Sequence, residues 1–372
     1  MIHDPDAGPR ERHTTWFDLA GASVALTTTV RAASRAAQET LYAYRTTSTG
    51  RHAAWHVDIT VVEPCHSLID APPEVGDIRE IGPSALAARH ITEGGREVFW
   101  IDRHRTLVGH DPTRHATTVH CATEEAATYF AVRLVRQLMT AQLLAAGAVY
   151  THTAALVHHE RGILIAGHPG AGKTTTLIAV LRRLGGAFVT SDRLLLAADR
   201  NGGLRGYAWP AHLRVGVGTL HAYPDLTGLV PTGLHADPAG LHAKLSIEPP
   251  GLPRLAPTAT LTACCRPSVM IWPKLSPTAG SPRHERIPTG TVHATLTDTQ
   301  LFMHRPTVGA SSHVNHWLAP TPPAHTMQTN RRAVVAALAR TVPCYALVAR
   351  PDPATLAEAV TAILHDAEAA SR

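Results

Sequence analysis

The stretch RGILIAGHPGAGKTTTLIAVLRRLGG, residues 161–186, constrains the fold more than any other part of the chain. A short apolar run, 163–165, leads into a glycine-rich turn, and an apolar helical pattern follows. The turn matches G-x-x-x-x-G-K-[ST], the phosphate-binding P-loop, from Gly167 to Thr174. Glycines let successive backbone N–H groups point at one anion, and the following helix adds its unpaired N-terminal donors. The sequence therefore predicts an α/β fold with a buried parallel strand and a nucleotide site at this turn.

Two side chains of this turn carry most of the expected chemistry. Lys173 is expected to reach the β- and γ-phosphates, and the Thr174 hydroxyl is expected to ligate Mg²⁺. The chain has only three lysines, so a lysine at this position is a sharper signal than in an ordinary composition. The other two, Lys244 and Lys274, are interpreted as solvated. The predicted nucleotide-binding residues are Gly167, His168, Pro169, Gly170, Ala171, Gly172, Lys173, Thr174 and Thr175.

A second candidate is the segment FVTSDR, 188–193, in which an apolar strand ends at Asp192. Such a strand would lie beside the P-loop, at the carboxyl end of the sheet where α/β proteins bind their ligands. A carboxylate there either orders Mg²⁺ or accepts a proton from an attacking hydroxyl. A strand end without catalytic role is the alternative interpretation. We therefore predict Thr174 and Asp192 as metal ligands, and Asp192 also as a catalytic residue.

The composition narrows the class of protein. Of the 372 residues, 44% are hydrophobic and 17% are charged, which is typical of a globular chain long enough for two domains. The five cysteines show no C-x-x-C spacing, and no long apolar run or apolar leader occurs, so we expect a cytoplasmic protein without disulfides or membrane segments. The net charge of +5 comes from dispersed arginines, and nucleic-acid binding is not expected. The 25 histidines are interpreted as solvated or nucleotide-adjacent.

The pattern along the chain predicts two domains, 1–146 and 147–372. The first 120 residues are expected to form short β segments, including a hairpin within 96–110. A long helix begins near Thr123 and ends at Gly147. The middle region, 220–330, is predicted to be largely irregular, a binding loop or lid with one apolar strand. A helix from Asn330, a strand, and a helix capped by Asp352 close the chain.

Taken together, HTAALVHHERGILIAGHPGAGKTTT and GAFVTSDRLLL resemble the C-terminal domain of HPr kinase/phosphorylase and relatives found in peptide-modification clusters. Phosphoenolpyruvate carboxykinase is a more distant relative. The resemblance covers 150–200 and 335–365. It implies a P-loop kinase domain of that type, preceded by a β-rich α+β domain that would recognise the substrate. In the family a histidine precedes the P-loop strand, and His152 matches it, so His152 joins Asp192 and Lys173 as a predicted catalytic residue.

Two departures from the family pattern bear on function. The family has Asp-Asp where this chain has Asp192 followed by Arg193, and the segment with Glu-x-x-Arg-Gly is missing. HPr itself is therefore not expected as a substrate. The resemblance implies a kinase that uses ATP, or another nucleoside triphosphate, with Mg²⁺ to phosphorylate a hydroxyl of a peptide, a protein or a small metabolite. Either His152 or Arg193 would contact the transferring group. A nucleotide-binding regulatory protein and an ATPase remain alternatives, and homo-oligomerisation stays open.

Overall fold

The computed structural model describes residues 11–46, 52–62, 77–81, 86–199, 201–230, 243–298, 301 and 322–370. These residues fall into two compact units, one ending at Ala145 and the other beginning at Ala146. The expectation of a mixed α/β chain is confirmed, since both units combine helices with β-sheet.

The first unit is built on an eight-stranded sheet with the order β1-β2-β3-β8-β7-β6-β5-β4. Two helices, α1 and α2, pack against each other and against β2. The strands are β1 His13–Leu19, β2 Ala22–Thr28, β3 Trp55–Val61, β4 Asp77–Ile81, β5 Leu86–Glu93, β6 Arg96–Ile101, β7 Thr106–Asp111 and β8 Ala116–Cys121, and the helices are α1 Arg31–Thr40 and α2 Glu124–Ala145.

The long helix predicted from the sequence is α2. The Thr123 hydroxyl accepts a hydrogen bond from the Ala126 backbone N–H at 3.1 Å, as an N-cap does. Helix α1 was not predicted, because alanine is the only apolar residue type in RAASRAAQET and gives a weak apolar signal. It is nevertheless amphipathic through its alanines, since Ala33 and Ala37 are fully buried. The sequence HVDITVVEP, 56–64, predicts a strand that stops at Pro64, and this stop lies outside the described residues.

The second unit contains three sheets and six helices among its described residues. Its seven-stranded sheet has the order β17-β12-β10-β11-β19-β21-β20, and a four-stranded sheet has the order β18-β14-β13-β9. Strands β15 and β16 form a separate pair. The strands are β9 Val149–Thr151, β10 Ala154–His158, β11 Arg161–Ile165, β12 Ala187–Thr190, β13 Leu194–Ala198, β14 Leu204–Ala208, β15 Leu213–Gly216, β16 Lys244–Ile247, β17 Thr260–Leu261, β18 Cys264–Cys265, β19 Pro267–Leu275, β20 Arg283–Arg286 and β21 Cys344–Ala349. The helices are α3 Lys173–Arg183, α4 Val217–His221, α5 Leu252–Leu255, α6 Thr289–Asp298, α7 Ala324–Thr341 and α8 Pro353–Ala369.

The core of this unit is the central part of the seven-stranded sheet. Strands β11, β19 and β21 are parallel to one another, and the residues 163–165 of β11 and 269–271 of β19 are fully buried. Helix α3 packs against β10 and against α8, and α8 in turn covers β21. Continuous apolar strands of this kind are expected where a sheet is covered on its faces.

The middle region differs from the prediction. It was expected to be irregular apart from one strand, which is β19, but its described part also contains β16, β17, β18, β20 and helices α5 and α6. Most of these elements have two to four residues and are separated by prolines, so they lack the periodicity that predicts an element from sequence. The role of this region as a binding loop or lid stays a prediction.

The two closing helices follow the predicted order. Helix α7 begins at Ala324 and not at Asn330. The predicted cap of α8 is confirmed by the hydrogen bond from Thr355 N–H to Asp352 Oδ1 at 2.8 Å.

Gly186 sets the geometry of the turn between α3 and β12. Its φ is +120°, and a Cβ added there would lie 2.3 Å from the Val157 carbonyl oxygen. Because that oxygen belongs to the backbone of β10, it cannot move aside without disturbing the sheet. We expect Gly186→Ala to lower the free energy of unfolding by roughly 2–4 kcal/mol through backbone strain and overpacking. Chemical denaturation checks this, with Gly280→Ala, which has no atom within 4 Å of its new Cβ, as the control.

Candidate active site

Four strands of the seven-stranded sheet end at one edge. Strand β11 ends at Ile165, β12 at Thr190, β19 at Leu275 and β21 at Ala349, and these strands run in the same direction. Strand β10 is antiparallel to both β11 and β12, so its first residues lie at this same edge. Open α/β sheets bind ligands beyond the carboxyl ends of their strands. The loops that meet here are therefore the natural place for a site.

A cavity of about 630 Å³ lies at this edge, within the range of roughly 300–1,000 Å³ that is usual for ligand pockets. It brings together most of the residues predicted from the sequence. The predicted residues that line it are His152, Pro169, Gly170, Gly172, Lys173, Thr174, Thr175 and Asp192. The predicted residues that do not line it are Gly167, His168, Ala171 and Arg193.

The glycine-rich loop reaches α3 through Gly172, which has a φ of +101°. A Cβ at this position would come within 2.3 Å of the Leu275 Cδ1 atom, so the loop packs closely on the end of β19. The first hydrogen bond of the helix runs from Thr176 N–H to the Gly172 carbonyl at 2.9 Å. The amides just before Thr176 therefore have no acceptor within the helix and remain available to an anion.

The Lys173 side chain is folded back over this loop. Its Nζ donates to the carbonyl oxygens of Gly167 at 2.8 Å and His168 at 3.2 Å, and the residue is only 8% exposed. Burial lowers the Lys173 pKa; the Asp192 carboxylate opposes this shift, and the charge of Lys244 adds to it. A partly desolvated ammonium with only neutral carbonyl partners is stabilised by an added anion. Lys173 is thus placed to hold negative charge in the cavity.

Asp192 lies across the cavity in contact with His152. The Asp192 Oδ1 atom is 2.6 Å from His152 Nε2, and its Oδ2 accepts a hydrogen bond from Arg193 Nε at 3.2 Å. Burial by itself would raise the Asp192 pKa. The hydrogen bond from His152 acts together with the charges of His152, Arg193 and Lys173. Their combined effect outweighs that of burial and lowers the Asp192 pKa to about 2. The carboxylate is therefore ionised throughout the neutral range.

The Arg193 guanidinium points toward aromatic rings and not toward the loop. Its Cζ lies 4.5 Å from the centre of the Trp209 ring and 6.0 Å from that of Tyr150. Stacking of this kind fixes a planar cation in one orientation. Arg193 therefore contacts Asp192 and the two rings, whereas the sequence predicts that either His152 or Arg193 contacts the transferring group. The structure does not bring Arg193 to the surface of the cavity.

The lowered pKa of Asp192 gives a test at acid pH. Because the folded-state pKa lies below the ordinary value of about 3.9, the ion pairs of this carboxylate stabilise the fold above about pH 4 and are lost as the pH falls toward 2. The side chain is 51% exposed, so screening by solvent keeps the effect below about 1 kcal/mol. Denaturation of wild type and Asp192→Asn between pH 5 and pH 2 should show their stability difference shrinking. A difference independent of pH would contradict this assignment.

Two cationic side chains and a histidine in the cavity were not predicted as site residues. Arg214 comes from β15, His221 from α4 and Lys244 from β16, and all three line the cavity. Lys244 was interpreted as solvated. No sequence pattern links 214, 221 and 244, because their proximity depends on how β15, β16 and α4 fold. The scarcity of lysine was the one signal that could have drawn attention to Lys244.

The oxygen donors of the cavity fit Mg²⁺. This ion is usually held by one or two carboxylates together with substrate phosphates and water, and not by an all-protein cage. Asp192 and Thr174 line the same cavity and supply a carboxylate and a hydroxyl. Among the described residues, no group of three His, Cys, Asp or Glu side chains is placed to hold a metal ion.

No helix in the described ranges is long and apolar enough to cross a bilayer.

Comparison with known proteins gives little further information. No protein-family model matches the chain, and no curated protein matches it. Among solved structures, it is similar to the HPr(Ser) kinase/phosphatase from Coxiella burnetii. The two share 21% identity over 37% of this chain and 77% of that one, with a TM-score of 0.21. At this TM-score the likeness supports no conclusion about the activity of the present chain.

Proposed function

We propose that this protein is a kinase that transfers the γ-phosphoryl group of ATP, or of another nucleoside triphosphate, to a hydroxyl group. The observation that carries the proposal is that two groups share one cavity. One is the buried Lys173 ammonium at the start of α3, and the other is the ionised Asp192 carboxylate bonded to His152. The first suits a polyphosphate, and the second suits an attacking hydroxyl. The acceptor is a serine or threonine of a peptide or protein, or a small metabolite.

The loop and α3 would bind the triphosphate. Backbone N–H groups of the loop and the helix N-terminus face the phosphate oxygens, and Lys173 exchanges its contacts with Gly167 and His168 for contacts with the phosphates. Thr174 and Asp192 would hold Mg²⁺, which when bound offsets negative charge on the phosphates. Lys173 then stabilises the charge on the γ-phosphoryl group in the transition state.

Transfer in this site follows an in-line displacement. The acceptor oxygen forms a bond to the γ-phosphorus as the bond to the β–γ bridging oxygen breaks, and the nucleoside diphosphate leaves with the bonding electrons. The hydroxyl proton passes to the His152–Asp192 pair. A carboxylate with a pKa of about 2 is a weak base when it acts alone. The hydrogen bond to His152 therefore matters, because it fixes the orientation of the Asp192 carboxylate that receives the proton.

One observation favours the alternative of a nucleotide-binding regulatory protein. Both oxygens of Asp192 already have partners, His152 on Oδ1 and Arg193 on Oδ2. A carboxylate held in this way could serve only to organise the site. The kinase proposal requires that it stay accessible, and its 51% exposure supports that requirement.

Titration with ATP and Mg²⁺, followed by turnover measurements, separates these functions. A kinase binds ATP·Mg²⁺ and releases ADP rapidly only when hydroxyl acceptors are added, such as a library of peptides containing serine and threonine. An ATPase releases ADP at the same rate without them. A regulatory protein binds the nucleotide and releases none. Failure to bind any nucleoside triphosphate would contradict the nucleotide site itself.

A further inference from the structure

The pair of strands β15 and β16 presents two positive charges on one face. In this antiparallel pair Arg214 lies opposite Ser246, and Gly216 lies opposite Lys244. Alternate residues of a strand share a face, and Leu213 and Val215 are the buried ones here. Arg214 and Lys244 are therefore diagonal neighbours on the outer face, where Cβ atoms lie about 7–8 Å apart.

The charges of Arg214 and Lys244 have no ion-pair partner among the residues that the structure describes. Within the ranges that the structure describes, neither Arg214 nor Lys244 forms an ion pair, and both line the cavity. His221 also lines the cavity, and Asp192 is the one acidic side chain among the described residues that line it. Two like charges at diagonal positions of a strand pair repel each other, and an anion bound between them offsets this repulsion. The face is therefore suited to an anionic group that is not part of the chain.

The two cations are separate from the elements that would hold the triphosphate. The loop, Lys173 and the N-terminus of α3 follow β11, whereas Arg214 and Lys244 belong to the β15–β16 pair. The hydroxyls of Thr175 and Thr219 lie 2.8 Å apart and join α3 to α4, which follows β15 directly. This bond fixes the pair of strands beside the start of α3. A ligand on these cations can thus lie next to the triphosphate without displacing it.

We infer that Arg214 and Lys244 form a second anion subsite, which binds a carboxylate or phosphate group carried by the hydroxyl acceptor. The guanidinium offers paired donors to two oxygens of such a group, and the ammonium adds a mobile point charge. The acceptor is then an anionic molecule, or a peptide with an acidic group close to its hydroxyl. This inference rests on the proposed function, because it assigns the triphosphate to the loop and the acceptor to the other side of the cavity.

Inorganic phosphate is the probe for this subsite. The full chain is saturated with Mg²⁺ and a non-hydrolysable ATP analogue, so that the loop is occupied, and is then titrated with phosphate by calorimetry. We expect phosphate to bind, and we expect Arg214→Gln and Lys244→Gln each to weaken it about tenfold or more, the scale of a charge-assisted hydrogen bond. Lys274→Gln and Arg254→Gln are the matched controls outside the cavity and should leave phosphate binding unchanged.

The outcomes separate this inference from the proposed function. If the analogue does not bind to wild type, the nucleotide site is wrong. If the analogue binds but phosphate does not, or if both variants weaken the analogue as strongly as phosphate, Arg214 and Lys244 are not an acceptor subsite. A parallel titration with malonate distinguishes the two chemistries. Tighter binding of malonate than phosphate points to a carboxylate acceptor, and the reverse points to a phosphorylated one.

Discussion

Replacing Lys173 by alanine should abolish phosphoryl transfer and remove most of the stabilisation that ATP gives to the fold. The substitution deletes the ammonium that faces the charge of the γ-phosphoryl group, and loss of one such electrostatic contact costs about 10²–10³ in rate. Without nucleotide, the free energy of unfolding of the variant should lie within about 1 kcal/mol of the wild-type value. The two hydrogen bonds that are lost are offset because a buried charge is removed with them.

Thermal unfolding with and without ATP·Mg²⁺ measures this effect even before an acceptor is known. A ligand at 100 times its Kd stabilises a protein by about 2.7 kcal/mol, so the nucleotide-induced shift in Tm should nearly vanish in Lys173→Ala. Lys173→Arg should not restore it, since the planar guanidinium cannot occupy the place of the compact ammonium. Lys274→Ala, an exposed lysine outside the cavity, is the control. A wild-type shift in Lys173→Ala would show that the loop does not bind the phosphates.

Replacing Asp192 by asparagine should slow transfer by about 100-fold or more while the nucleotide still binds, since this is the usual scale for a positioned acid or base. Asparagine keeps the size of the side chain and one oxygen acceptor, so the fold should be preserved. It removes the negative charge that orients His152 and that would hold Mg²⁺. Single-turnover transfer to an active acceptor is the measurement.

The dependence on Mg²⁺ separates the two roles assigned to Asp192. If the carboxylate mainly holds the metal, a higher Mg²⁺ concentration should restore much of the rate in Asp192→Asn. If it mainly works with His152 on the hydroxyl proton, the rate should stay low at saturating Mg²⁺. Asp225→Asn is the matched control, because Asp225 is also ion-paired to an arginine but lies outside the cavity. Equal rates for wild type and Asp192→Asn would exclude a catalytic role for Asp192.

Local patterns determined much of what was predicted correctly. The glycine spacing of 167–172 can be read without the fold, because it depends on backbone conformation and on the start of the next helix. The long helix α2 and the cap of α8 are equally local, since each depends on side chains within one turn of the helix end. The buried strands β11 and β19 are continuous apolar runs, which predict a covered sheet.

The sequence by itself therefore indicated the loop, Lys173 and a strand-end carboxylate, and the family resemblance pointed to His152. The hydrogen bond between Asp192 and His152 was found only in the structure. Only the tertiary structure decided which other groups face them. Arg193 follows Asp192 directly in the sequence, yet its guanidinium lies against the rings of Trp209 and Tyr150 and does not line the cavity. Arg214 and Lys244 are distant in sequence and meet because β15 and β16 pair. Contacts of that kind depend on strand register and packing, which no short segment of sequence encodes.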